Sequence, residues 1–232
     1  MTDSKTVAVL KSQVRQRSDN ENTTFVTDSE IIGYINDSYK ALYDLIVDAV
    51  EDYNLSSASF TITSGNVQAI PSDFYKMRGL DDLSLGNTNP RSVRKYNWNE
   101  RNDFNDPPLV SAPYKYSDVY YRIQGSNIVL TPPANALKPY ILYYVPLPGT
   151  LDDDADVAFG INGWLDYVVV DAAIKCMIKE ESDTRPLERE RKAIVDRIEA
   201  MKSSRDQGLP EKISRVRNRR RMGPWEFGGS GY

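Results

Sequence analysis

Asp152, Asp153, Asp154 and Asp156 form the densest carboxylate group in this 232-residue chain. Such a group could hold a hard cation such as calcium. The spacing argues against an EF-hand loop: counted from Asp152, Val157 stands where the turn glycine belongs and Gly163 where a bidentate glutamate belongs. A solvated acidic loop ahead of a helix is the simpler reading. The adjacent pairs Asp81–Asp82 and Glu180–Glu181 lack the further acids and bases that two-metal hydrolysis or glycoside cleavage requires. The chain has no histidine, which removes the commonest general base and the commonest transition-metal ligand. Its one cysteine, Cys176, lies among Ala172, Ala173 and Met177 in a helical apolar stripe, a setting for core packing rather than nucleophilic attack. Gly228, Gly229 and Gly231 fall at the C-terminus, not between a strand and a helix, so they make no phosphate-binding loop. No catalytic, cofactor-binding or metal-binding residue is assigned, and an enzyme is the least expected class.

The chemistry that remains is recognition. From Gly208 to Tyr232 the chain carries Lys212, Arg215, Arg217, Arg219, Arg220 and Arg221 against only Glu211 and Glu226, a balance of +4 in a chain of net charge −4. The body before it is therefore −8. Trp225, Phe227 and Tyr232 follow the cations, set among glycines. Three readings fit: a solubilising tail, phosphate contact with DNA through Arg215–Arg221, or docking to a protein. Trp225 and Phe227 favour docking, because large rings at a chain end carry a solubility cost until something buries them.

Helical periodicity frames these residues. A first helix is expected over about Ser4–Arg17, with Val7, Leu10 and Val14 on one face. Thr27 followed by Glu30 spells a capping box that opens a second helix, whose seam runs through Ile35, Tyr39, Leu42, Ile46, Ala49 and Tyr53. A third helix follows Ile161, Leu165, Val168, Ala172 and Cys176. A fourth, capped by Asp183 or Thr184, carries Leu187, Ile194, Ile198 and Met201. Between the pairs, Phe60–Ile62 and Val67–Ile70 read as one hairpin around Ser64, Gly65 and Asn66, and Tyr120–Gln124 with Ile128–Leu130 as another. Tyr140–Val145 reads as a strand and Tyr96–Phe104 as a helical stretch. The expectation is α+β: a four-helix bundle core (1–56 and 158–207), a β-rich insert lobe (57–157) and an extended C-terminal arm (208–232). The insert is rich in tyrosine. Tyr120, Tyr121, Tyr140, Tyr143 and Tyr144 are either amphipathic strand residues half in the core or a surface that packs against neighbouring copies or another protein. No apolar run approaches membrane-spanning length and Met1–Lys11 is polar, so the chain is expected to stay in the cytosol of the cell that makes it.

Arg17, Asp19, Asn22, Phe25, Val26, Thr27, Asp28, Glu30, Ile35, Asn36 and Leu42 resemble the opening of the head-to-tail adaptor (connector) proteins of tailed bacteriophages. Pro71, Asp73, Phe74 and Tyr75 resemble that family's proline-led segment. Gly125, Ile128, Leu130, Pro132, Pro133, Tyr140, Leu142, Tyr143, Tyr144 and Pro146 resemble its second hairpin and closing strand. The resemblance runs over nearly the full length and lies in the order of the pieces. It implies a ring, usually dodecameric, in the virion neck beneath the portal protein. That ring lengthens the channel for genomic DNA, which passes without specific binding, and offers a platform to a tail or nozzle protein. It implies a C-terminal arm that grips the portal, here Arg215, Arg217, Arg219, Arg220, Arg221, Trp225, Phe227 and Tyr232. No cofactor and no membrane are implied. An acidic body suits such a channel, since anionic walls repel phosphates. The alternative is a DNA-binding packaging accessory protein that uses the basic arm on phosphates.

Overall fold

The computed structural model describes residues 2–20, 24–50, 54–103 and 116–202. The chain runs β1 (Thr2–Thr6), α1 (Val7–Ser18), α2 (Asp28–Ala49), β2 (Ser56–Thr61), β3 (Val67–Ala69), β4 (Phe74–Asp82), β5 (Arg91–Lys95), β6 (Tyr116–Gln124), β7 (Asn127–Thr131), β8 (Pro139–Pro146), β9 (Val157–Ile161), α3 (Leu165–Lys179) and α4 (Arg185–Lys202). The class is α+β, but the expected four-helix bundle core is not what forms. A seven-stranded sheet is the larger assembly, and the helices share their core with a second sheet.

That second sheet explains the correction. β1 and β9 pair antiparallel, Thr2 opposite Ile161 and Thr6 opposite Val157, so Ser4–Thr6, expected in the first helix, are strand and that helix begins at Val7. Ile161, read as the start of a helix, ends β9 instead. β9 lies directly on α3: a Cβ at Gly160 would sit 2.7 Å from Leu165 Cγ. α3 is buried on all sides, with Leu165, Tyr167–Ala173, Ile174 and Cys176 inside, and it contacts α1, α2 and α4. Val168, Val169 and Val170 are weak helix formers, and burial on every face overrides that preference.

α2 begins as its sequence requires. The Glu30 N–H donates to Thr27 Oγ1 (3.3 Å) and the Thr27 N–H donates to Glu30 Oε2 (2.9 Å), the reciprocal capping box. Its buried face, Ile31, Ile35, Ser38, Leu42, Tyr43, Ile46 and Val47, is wider than the expected seam because the helix serves two neighbours. One side packs into the helical core; Tyr43 and Val47 instead cluster with Val145 of β8.

The large sheet has the order β2-β8-β4-β5-β6-β7-β3, all antiparallel except β5 beside β6. β2 and β3, expected as one hairpin, are its opposite edges: Phe60 pairs with Tyr140 and Val67 with Val129. The link from Thr61 to Val67 can reach only about 21 Å, whereas six strand spacings in a flat sheet would need about 29 Å. The sheet therefore curls, enclosing Ile62, Leu80, Val93, Val119, Ile128, Leu130, Tyr140, Leu142 and Tyr144 as a core of its own. Local turn signals mark where a chain bends, not which strand it joins. The β6–β7 hairpin does form, around Gly125 (φ 56°) and Ser126, with Gln124 opposite Asn127. The expected helix over Tyr96–Phe104 is a single 3-10 turn at Trp98–Glu100; Tyr96 is buried and its N–H donates to Tyr121 O (3.2 Å), while Phe104 lies outside the described residues.

Candidate functional site

Two buried aspartates anchor the two cores, and each is matched by cations. In the helices, Asp171 of α3 accepts from Ser38 of α2 (2.7 Å) and Arg191 of α4 (2.7 Å) and pairs with Lys175 (3.1 Å). In the sheet, Asp82 of β4 accepts from Ser117 of β6 (2.7 Å) and the Ser84 N–H (2.8 Å), and pairs with Arg91 (3.2 Å) and Lys138 (3.5 Å). Lys138 also pairs with Asp118. Burial pushes both pKa values up, but the hydrogen bonds and neighbouring charges outweigh it and leave both below the ordinary aspartate value. Such carboxylates hold elements together and have no free valence for acid–base work. Burial likewise pushes the Cys176 thiol up to about 11, away from thiolate chemistry. In the acidic loop, Asp156 accepts from the N–H groups of Asp152 and Asp153 (2.8 Å each) and Asp154 pairs with Lys11 (2.6 Å), while Asp152 and Asp153 face solvent.

The tyrosines divide by the pleat. Tyr140 and Tyr144 are core residues: their rings stack on Phe60 and Phe74, and their hydroxyls donate to Ala136 O (3.1 Å) and Asp73 Oδ1 (3.0 Å). Tyr121 is half-buried against the same core. Tyr120 and Tyr143 are partly exposed, Tyr143 in a shallow place between its small register partners Ser57 and Gly79. Arg215, Arg217, Arg219, Arg220, Arg221, Trp225, Phe227 and Tyr232 lie outside the described residues.

Two surface features escaped the sequence reading. One is an open groove of about 570 Å³ where α2, the end of β8 and β9 meet, lined by Tyr39, Tyr43, Ile46, Leu55, Leu147 and Phe159. Leu55, Leu147 and Phe159 are exposed there. The other is a cationic strip on the sheet. The parallel β5–β6 register sets Arg94 beside Tyr120, with the guanidinium 5.4 Å from the ring centroid. Arg101 and Arg122 stand over the indole of Trp98 at 5.0 and 5.1 Å, and Trp98 is 47% exposed. Alternation along β6 hints at this outward row, Tyr120 and Arg122, but its union with Arg94 and Trp98 depends on a parallel pairing that no turn announces.

The ordered polar groups thus brace the fold, and the conspicuous surface consists of broad patches. No membrane-length apolar helix occurs among the described residues. The SU10 adaptor protein family model matches residues 5–226, and the chain belongs to that family, a phage head-tail adaptor family. No curated protein matches the chain. Membership makes it a bacteriophage structural adaptor and a virion component, and implies partners such as portal and tail proteins.

Proposed function

We propose that copies of this chain form a ring beneath the portal, extend the DNA channel and present the platform to which the tail attaches. What carries the reading is the span of the family match: it runs to residue 226 and so takes in the cation run Arg215–Arg221 and Trp225 as well as both cores. The arm is the portal-binding element, with guanidiniums that pair directionally and rings that anchor in a cleft. Residues 1–53 and 151–207 together hold 24 acidic against 14 basic side chains. That balance suits a channel through which DNA must slide.

A pull-down of portal rings with a chain ending at Gln207 tests the arm: binding is expected to fall to background, and undiminished binding discards the assignment. The six cations of the arm favour one competing reading, a packaging accessory that holds DNA phosphates. A salt titration separates the two, because phosphate contact weakens steeply with salt on any DNA, whereas aromatic docking on the portal persists.

A further inference from the structure

The charge of the body is not evenly spread. Residues 54–150, which hold the seven-stranded sheet, carry nine Lys and Arg against seven Asp and Glu, a balance of +2. The helical segments, 1–53 and 151–207, balance at −10. Three of those nine cations, Arg94, Arg101 and Arg122, lie on one outer strip over Tyr120 and Trp98. Among the described residues neither Arg101 nor Arg122 forms an ion pair; Arg101 donates only to the Trp98 carbonyl (3.3 Å).

Arg101 and Arg122 lie over the Trp98 ring at 5.0 and 5.1 Å, an attraction that restrains each guanidinium while leaving it N–H groups to meet a planar, two-oxygen acceptor. The strip is therefore prepared for carboxylate or phosphate. Bases are poorly served, since the exposed indole that could stack on them already bears two guanidiniums. The same chain supplies the complementary surface: Asp152 and Asp153 face solvent on a turn fixed by Asp156, beside Asp154 and ahead of β9. A positive patch in one part and a negative patch in another is the arrangement that a head-to-tail contact between identical copies needs.

We infer that the Trp98–Arg101–Arg122 strip of one copy docks on the Asp152–Asp154 loop of the next. This rests on the ring reading above and gives it a surface. The contact orders the copies by charge, so it weakens with ionic strength. The test assembles the full chain on portal rings and counts adaptor copies per complex by electron microscopy and mass photometry.

Arg101→Glu with Arg122→Glu is expected to reduce assembly roughly tenfold or more. Adding Asp152→Lys with Asp153→Lys to the same chain is expected to restore it. Should the Glu variant fold poorly, as read by circular dichroism, Arg101→Gln with Arg122→Gln answers the same question with a smaller loss. Rings that form as well with either variant as with the wild type overturn the docking surface while the ring stands. A loss that the Lys pair does not repair overturns the loop as its occupant. Variants that keep their rings but lose retardation of DNA point to a phosphate partner and also overturn the inference. Wild-type chain that forms no ring on the portal removes both readings together.

Discussion

The helical body and the curled sheet solve the same problem, a buried carboxylate, with partners of different reach. Asp171 lies between helices, and its cations stay partly in water: the Arg191 and Lys175 side chains are 40% and 30% exposed. Asp82 is fully buried, and both of its cations, Arg91 and Lys138, are only 18% exposed. An ion group gains strength as water is withdrawn, and so does the penalty for breaking it. The sheet is thus the part that tolerates less interference with its polar core, although the helices hold the tighter hydrogen bonds.

The sharpest way to break that comparison is to remove each carboxylate in turn. Asp82→Ala leaves Arg91 without its carboxylate inside the sheet, while Lys138 keeps Asp118, and is expected to cost about 3–5 kcal/mol in chemical denaturation, whereas Asp171→Ala is expected to cost only ~1–3 kcal/mol. Equal losses would erase the distinction. Next comes backbone approach. Gly160→Ala drives a methyl to 2.7 Å from Leu165 Cγ and is expected to cost about 1–3 kcal/mol, while Gly79→Ala, whose Cβ would meet Tyr143 at an ordinary 4.0 Å, is expected to cost less by the same assay.

Acid sharpens the comparison further. Folded pKa values of Asp82 and Asp171 lie below the ordinary 3.8, so their contribution is complete above that pH and is lost as pH falls through the folded values. Denaturation midpoints of wild type and Asp82→Asn should therefore converge as pH is lowered below 3.8; a constant gap would contradict the linkage. The smallest effect belongs to Glu30. The Lys179 hydrogen bond, and then the Thr27 N–H and hydroxyl, bring its carboxyl from 4.5 to about 2. Glu30→Gln should flatten the stability profile between those two pH values and leave the slope elsewhere unchanged.

What the sequence disclosed follows the same division. The Thr27–Glu30 box, the Leu187–Met201 face of α4 and the turn at Gly125–Ser126 were legible because each is a local pattern within one element or across one short turn. The partnership of β2 with β8, the β1–β9 pair and the placing of β4 between β8 and β5 were not, since nothing near Phe60 specifies Tyr140, eighty residues away. Surface chemistry fared likewise. Arg94 and Tyr120 become neighbours only through the parallel ladder, and the exposed groove requires three elements from distant segments. The arm expected over Gly208–Tyr232 from its cations and rings lies outside the described residues.

The enclosure of α3 also sets where this gene can drift. Every turn of that helix meets a neighbour, so even a conservative exchange such as Val169→Ile must be accommodated by residues on other elements. α4, in which Ile198 is the one fully buried side chain among the described residues, can exchange most of its charged surface independently. Diverging relatives should then retain the size and polarity of the Tyr167–Cys176 stretch while the Arg185–Lys202 segment changes rapidly, and a mutational scan of the chain would display the two tempos side by side.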